Sequence, residues 1–534
     1  MKKRHVCLLL AFCLALSGCG IGSSTSKTST SKASGDNDTT SENTEDDTMS
    51  DKIIVSMDEA SPFNDGSFEG FGTSLCWFAN RIGYSDTLSQ EAADLFYDAD
   101  EGLGLTIARY NIGGGDDPTH NHITRTDSIM PGFATNWTYD ESTGEYTWDY
   151  DWTQDSNQIN VLQKCIDAAG DNIIVEAFSN SAPYFMTKSG CSSGAVDASR
   201  DNLKEDAYDA FAKYICDVMV HFDEDLGIKF QSVSAMNEPY TSYWGAYSEK
   251  QEGCHFEPGD SQSNMIIAME KAMADADLSD VILTGTDETS IDKQILSFNA
   301  LSDEAKNAVE RIDSHAYQGD KRTQLKELAL ANSKGLWMSE VDDGGVAGEN
   351  AGEMGAGLWL ANEIVLDLNE MQPSAWVLWQ AIGSHISSEG YMGNQDSGMG
   401  SLLDGYWGVA FADHDNEEII LTMKYYCFGQ FTRYIKQGST ILATGDNTIG
   451  AYNADTKELV LVAVNDEAAE KEITFDLSAF SQLSNEAEAV RTSGSMASGE
   501  KWASLDPVAL DGTDLTVTLK GNSVTTYIIK NVEQ

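Results

Sequence analysis

Basic residues are scarce in this chain: 33 Lys and Arg stand against 86 Asp and Glu, giving a formal net charge of -53 and a pI near 4.2. Such a field repels phosphate backbones and anionic lipid, which excludes nucleic acid as a natural partner. A neutral ligand meets no such barrier. The acidity also aids solubility and by itself identifies no substrate. Paired short cysteine spacings are absent. Cys7, Cys13 and Cys19 belong to the first residues, and Cys76, Cys165, Cys191, Cys216, Cys254 and Cys427 are scattered. That scatter speaks against a cysteine zinc site and for reduced thiols, with Cys191 and Cys254 the first pair to inspect for a disulfide.

What is present begins with an export signal. Lys2, Lys3 and Arg4 precede an apolar run, Val6 to Leu16, that is too short to span a membrane as a mature helix. It ends in Leu16-Ser17-Gly18-Cys19, which resembles the bacterial lipoprotein signal and implies cleavage before an acylated Cys19. Residues 1–18 are therefore read as signal and 19–51 as a Ser/Thr/Asp-rich tether, too polar to bury a core. The expected location is extracytoplasmic, membrane-anchored or secreted, with the membrane touched only through the lipid.

The remaining length suits a large domain plus a smaller one. From about Glu69 to Gln437, short apolar runs alternate with amphipathic stretches, as in parallel strands joined by crossover helices. Strand candidates begin near Gly70, Thr106, Ile173, Gln231, Val281, Ile312, Leu336 and Ala375, with helical patterns such as Leu88 to Ala99 and Leu203 to Phe222 between them. Eight such units predict an α/β fold, a (β/α)8 TIM barrel over residues 52–437, in preference to a doubly wound sheet. Beyond Gln437, Leu459 to Val464, Glu472 to Phe475, Leu515 to Leu519 and Val524 to Ile529 are β-rich runs between polar turns, predicting a C-terminal antiparallel β-sandwich over 438–534. Lys52 to Met57 can join that sandwich as a strand.

Barrels place reactive groups at the C-terminal ends of their strands. Two glutamates qualify: Glu238, in Asn237-Glu238-Pro239 after the fourth apolar run, and Glu340, in Ser339-Glu340-Val341-Asp342 closing the seventh. Facing carboxyls about 5 to 5.5 Å apart suit glycoside hydrolysis with retention, one protonating the leaving oxygen and the other attacking the anomeric carbon. Glu176, Asp287, Glu288, Asp342 and Asp343 compete for such roles but lack the combination of strand-end position and neighbours. His315 and His385 read as hydrogen-bonding residues; no metal and no cofactor is expected.

The flanking residues carry a resemblance. Asn-Glu-Pro with the later Glu is similar to glycoside hydrolases of clan A, and GFGTSLCW (Gly70–Trp77), RYNIGGG (Arg109–Gly115) and SNSAPYFM (Ser179–Met186) resemble glycoside hydrolase family 30 over residues 52–534. SNSAPYFM followed by Ser189-Gly190 is most similar to the endo-β-1,6-galactanase-like branch. The resemblance implies Glu238 as acid/base and Glu340 as nucleophile, with Arg109 bonding the nucleophile, Asn237 holding the sugar 2-hydroxyl and Tyr317 donating to Glu340. Trp379 would floor the subsite beside the scissile bond, and Trp77, Tyr184 and Trp244 would stack on sugar rings, with Trp137, Trp152 and Trp407 as further aromatics. Ala182 departs from the pattern, which has a second proline-like stiffener before Pro183.

The resulting expectation is a retaining hydrolase of β-linked polysaccharide, favouring β-1,6-galactan side chains of arabinogalactan. β-1,6-Glucanase, β-xylanase and glucosylceramidase-like activities are the nearest alternatives, and a non-catalytic surface glycan-binding lipoprotein is the alternative of another class.

Overall fold

The apolar runs of the first part of the chain fold as parallel strands buried on both faces, by helices outside and by the barrel interior within. The computed structural model describes residues 52–343, 352–396 and 407–534. The export signal, Cys19 and the tether expected before residue 52 lie outside the described residues.

The strands are, in order, Gly70–Ser74, Ile107–Asn111, Ile174–Phe178, Ser232–Ser234, Ile282–Leu283 with Glu288–Ser290, Arg311–Gln318, Gly335–Val341 and Ala375–Leu378. The eighth pairs back onto the first, Ala375 opposite Gly70. The two pieces of the fifth strand terminate the sheet path at its two ends, and a parallel bridge from Thr284 to Arg311 joins them across the break. The sheet is thus a closed (β/α)8 barrel whose fifth strand is interrupted over residues 284–287.

Alternate residues point inward and form layers along the barrel axis. At the N-terminal end Ile107, Trp337, Ala375 and Val377 make an apolar plug. One step up, Arg109, Glu176 and Arg311 lie fully or nearly fully buried in an ion layer: Arg109 Nε donates to Glu176 at 2.8 Å, and Arg311 donates to both Glu176 and Asp313. Arg311 also sits over the Trp337 ring, 3.4 Å from its centroid. One further step brings the chain to the open cleft.

The helix Asp86–Tyr97 starts where Ser85 Oγ accepts from the Leu88 amide, and Tyr208–His221 buries Phe211, Ile215, Val218 and Met219 on one stripe. Between the second strand and its return helix, Ala134–Asp140 and Glu145–Tyr150 form a hairpin that the periodicity did not suggest.

After Gln437 two sheets stack, the larger antiparallel and the smaller antiparallel except for a parallel edge strand from the N-terminal segment. The larger sheet includes Thr440–Gly445, Thr448–Asn453, Glu458–Asn465, Glu486–Ser493 and Ser523–Ile529; in the smaller, Lys471–Asp476 lies between Asp514–Leu519 and the N-terminal Ile53–Ile54. Leu459, Leu461 and Ala463 face the core between the sheets, whereas Val460, Val462 and Val464 face the barrel core. Burial on both sides explains why Glu458–Asn465 reads as an unbroken apolar run instead of an alternation. The helices Met354–Glu370 and Met423–Thr432 fill the space between barrel and larger sheet, where Thr526 donates to Gln430 O at 2.8 Å and Trp502 Nε1 to Tyr426 O at 2.8 Å. Barrel and sandwich form one compact unit.

Candidate active site

A cavity of 670 Å³ opens at the C-terminal ends of the strands. Glu238, Glu340, Asn237, Tyr317, Trp77, Trp244 and Trp379 all line it, together with Arg125, Tyr243, Lys250, Gln380 and Trp407. Tyr184 is not brought there. Its hydroxyl accepts from Trp137 Nε1 at 3.0 Å beside the hairpin, because the turn Tyr184–Met186 points it away from the strand ends. Trp137 stacks on Phe185 and Trp152 on Tyr150, so these aromatics also pack outside the cavity.

Glu340 sits on the seventh strand itself. Tyr317 donates to its Oε1 at 3.0 Å and Arg109 Nη1 to its Oε2 at 3.2 Å. Arg109 reaches three carboxylates, the others being Glu176 and Asp287, the latter at 2.6 Å. Its charge is what makes their common burial tolerable: an isolated carboxylate in this interior would cost several kcal/mol. Asp287 is accordingly held well below the usual carboxylate range, since Arg109 and His315 outweigh its burial.

Glu238 lies four residues beyond the fourth strand, with a backbone φ of 47°, in the left-handed region that is uncommon for a side chain of this size. What holds it there is the break in the fifth strand. Glu238 N donates to Asp287 O at 2.9 Å, and Glu288, the next residue, accepts from Tyr240 N at 3.0 Å. Trp244 Nε1 donates to Glu238 O at 3.1 Å, and the Tyr243 hydroxyl donates to the carboxylate itself. Asn237 presents a buried Oδ1 with no partner of its own to the cavity, a vacant acceptor for a ligand hydroxyl.

His315 lies between the two glutamates. Its Nδ1 is 3.2 Å from Glu238 Oε1 and 3.4 Å from Glu340 Oε1, while Nε2 faces Asp287 at 3.2 Å. Burial lowers its pKa, but Glu340 and Asp287 raise it further than burial lowers it, so it lies well above the usual histidine range. Carboxylate oxygens of Glu238 and Glu340 come within 4.8 Å of each other. This spacing belongs with the about 5–5.5 Å of retaining pairs, short of the about 6.5–9.5 Å that inverting pairs need to seat the attacking water. Burial and the neighbouring Glu238 charge push Glu340 up to about 7, with His315 and Arg109 opposing. Burial also raises Glu238, but the His315 bond and charge and the Tyr243 hydroxyl hold it below the usual range. Of the two, Glu340 is therefore the one that holds its proton to higher pH, and the proton of the pair rests on the Glu340 side.

The competing carboxylates have other occupations. Glu176 is sealed in the ion layer, and Asp342 is paired with buried Lys424 and accepts from Gly408 N. Among the described residues all six cysteines are buried free thiols, so Cys191 and Cys254 are not bridged. Tyr243 and the central placement of His315 were missed from sequence; the aromatic run Tyr240 to Trp244 just past Pro239 was the available signal for the first.

A cleft of this kind on a (β/α)8 barrel is shared with proteins of known activity. The family model described as O-glycosyl hydrolase family 30 matches residues 54–292. The chain is 32% identical over 490 residues to an endo-β-1,6-galactanase of Hypocrea rufa, covering 88% of this chain and 93% of that protein. It is 26% identical to an exo-β-1,6-galactobiohydrolase of Bifidobacterium longum subsp. longum, covering 80% of this chain and 35% of that longer protein. In fold it is similar to a conserved exported protein from Bacteroides fragilis, with a TM-score of 0.68 at 19% identity over 90% of this chain and 100% of the other. The catalytic domain of family 30 xylanase C from Talaromyces cellulolyticus gives 0.66 at 18%, over the same shares. The fold, the cleft and these relatives define an O-glycosyl hydrolase. The chain belongs to glycoside hydrolase family 30.

Proposed function

We propose that the chain hydrolyses β-1,6-linked galactan, such as the side chains of arabinogalactan, by double displacement. When the sugar binds, the proton on the Glu340 side passes to Glu238; the ionised Glu340 then attacks the anomeric carbon and forms a glycosyl ester while Glu238 gives that proton to the departing glycosidic oxygen. Glu238 then takes a proton from water, whose oxygen attacks the anomeric carbon from the face opposite the Glu340 ester and releases the carboxylate, and the original configuration returns. Arg109 and Tyr317 orient the attacking carboxylate, and Asn237 Oδ1 accepts from the sugar 2-hydroxyl. Trp244 and Trp379 offer apolar surface to pyranose rings, and Trp77, itself buried under Arg125, backs Trp379 edge-on.

The observation carrying this reading is the buried carboxylate pair within 4.8 Å at the floor of the cavity; the sugar rests on the Hypocrea rufa relative. The lipoprotein signal read at Cys19 supports action outside the cytoplasm, on a lipid anchor. A screen of purified enzyme over β-1,6-galactan, β-1,6-glucan and xylan tests the substrate: galactan should be cleaved fastest, and activity on xylan alone overturns the assignment. NMR of the first product anomer tests the mechanism, predominant inversion being incompatible with it.

A further inference from the structure

The loop after the second barrel strand carries a cluster that the hydrolytic site does not use. Asp116, His120 and His122 each present a ligand atom, all within 4.8 Å of one another. Asp116 Oδ1 is 3.0 Å from His120 Nδ1 and its Oδ2 is 3.4 Å from His122 Nε2, so both rings turn toward one carboxylate. An Asx turn makes this possible: Asp117 Oδ1 accepts from Thr119 N at 2.8 Å and from Thr119 Oγ1 at 2.7 Å, bending the chain so that His120 returns over Asp116.

The cluster is braced from outside. Buried Glu252, from the loop after the fourth strand, accepts from Gly114 N and Gly115 N at 3.0 and 3.1 Å and so fixes the backbone just before Asp116. Ser192 N, from the loop after the third strand, donates to Asp116 Oδ1 at 3.3 Å, and Ser193 Oγ stands 3.1 Å from His122 Nε2. Tyr247 packs edge-on against both imidazoles, with centroids 5.2 and 5.3 Å away. Three loops thus converge on two imidazoles and a carboxylate that are only partly exposed.

We propose that Asp116, His120 and His122 form a divalent-metal site that takes zinc, with the fourth position left to Ser193 or water. Two imidazole nitrogens and one carboxylate oxygen are a donor set zinc accepts, at about 2.0–2.2 Å per bond. Tetrahedral bonds of that length set ligand atoms roughly 3.4 Å apart; His120 Nδ1 is 3.0 Å from Asp116 Oδ1 and His122 Nε2 is 3.4 Å from Asp116 Oδ2, and one ligand atom from each residue lies within 4.8 Å of the others. Small side-chain shifts would seat the ion. Through Ser193, zinc there would tie the second-strand loop to the third, while the fourth-strand loop, which supplies Tyr243, Trp244 and Lys250 to the cleft rim, packs on the site through Tyr247. This site is distinct from the hydrolytic pair and does not depend on which sugar is cleaved.

The test is zinc chloride titrated into metal-stripped full-length protein by calorimetry, with bound metal counted by mass spectrometry after dialysis. Wild type should bind one zinc at this site. His120→Ala and His122→Ala should each weaken binding by more than the roughly 10- to 100-fold that loss of an outer-shell partner costs. Glu340→Gln serves as the control, because Glu238, His315 and Glu340 could also gather an ion; it should leave the tight site intact. The melting midpoint of wild type should rise with zinc while that of His122→Ala stays still. Anomalous diffraction from zinc-soaked wild-type crystals reads the site without any variant, and a peak between the three side chains is expected. No zinc uptake by wild type, uptake unchanged in both histidine variants, or uptake lost only in Glu340→Gln would each overturn the proposal.

Discussion

His315 Nδ1 stands 3.2 Å from Glu238 Oε1, and the same nitrogen is 3.4 Å from Glu340. One ring nitrogen thus serves two carboxylates, which titrate as a pair and not as two independent acids. The working state has one proton in the pair. Above about 7, where Glu340 loses its proton in the empty site, the pair is fully ionised and no acid remains. Below the usual carboxylate range, where Glu238 takes its proton, both are neutral and no nucleophile remains. The pH profile of kcat/KM should therefore be a bell with its alkaline limb near 7 and its acid limb below the ordinary glutamate range. A profile flat to pH 9 would contradict the coupling.

Glu238→Gln removes the proton donor and leaves the cavity shape unchanged. Turnover of polysaccharide should fall by about 10²- to 10⁴-fold, with much of the rate kept on an aryl glycoside whose leaving group needs no proton. Glu340→Gln should abolish turnover on both substrates while ligand still binds, measured by calorimetry. Wild-type processing by Glu340→Gln would mean that another group attacks.

Tyr317→Phe deletes only the hydroxyl that reaches Glu340 at 3.0 Å. A hydrogen bond to a charged group is worth about 1.5–3 kcal/mol, so kcat should drop roughly ten- to hundred-fold with little change in melting temperature. Steady-state kinetics beside a thermal melt separates this from misfolding.

Arg109→Met should cost stability before it costs chemistry. The guanidinium is fully buried among Glu176, Asp287 and Glu340, and its loss strands their charges. Breaking a buried pair costs about 3–5 kcal/mol. Urea unfolding should show that loss, whereas an unchanged midpoint would mean that the ion layer relaxes or admits water.

Much of this was legible because burial on both faces leaves a plain record. The strand candidates from Gly70 to Ala375 start within one residue of the observed strands, and Arg109, Asn237 and Tyr317 come to the same cavity or its floor as Glu238 and Glu340. What periodicity could not reveal depends on geometry across the chain. The broken fifth strand is too short to show a pattern, yet its Asp287 carbonyl fixes Glu238. Tyr184 followed a motif whose local turn sends it outward. In the hairpin, Ala134–Asp140 is mostly exposed and Glu145–Tyr150 alternates exposed and half-buried residues, so its aromatics read equally well as cleft lining.

The pairing of Ile53 with Phe475, reinforced by Lys52 Nζ on Asp514 Oδ2 across 462 positions of sequence, bears on the order of assembly. During synthesis the strand Ile53–Ile54 has no strand partner until Phe475 and Asp476 have been made. The barrel can collect its strands in sequence, but the smaller sheet closes only when the last hundred residues return to the first. A polypeptide cut short after the barrel would leave Ile53 and Val55 without cover, together with the flanks of Met354–Glu370 and Met423–Thr432. The sandwich thus acts as a completion check: a chain that lacks its end exposes apolar surface at its beginning.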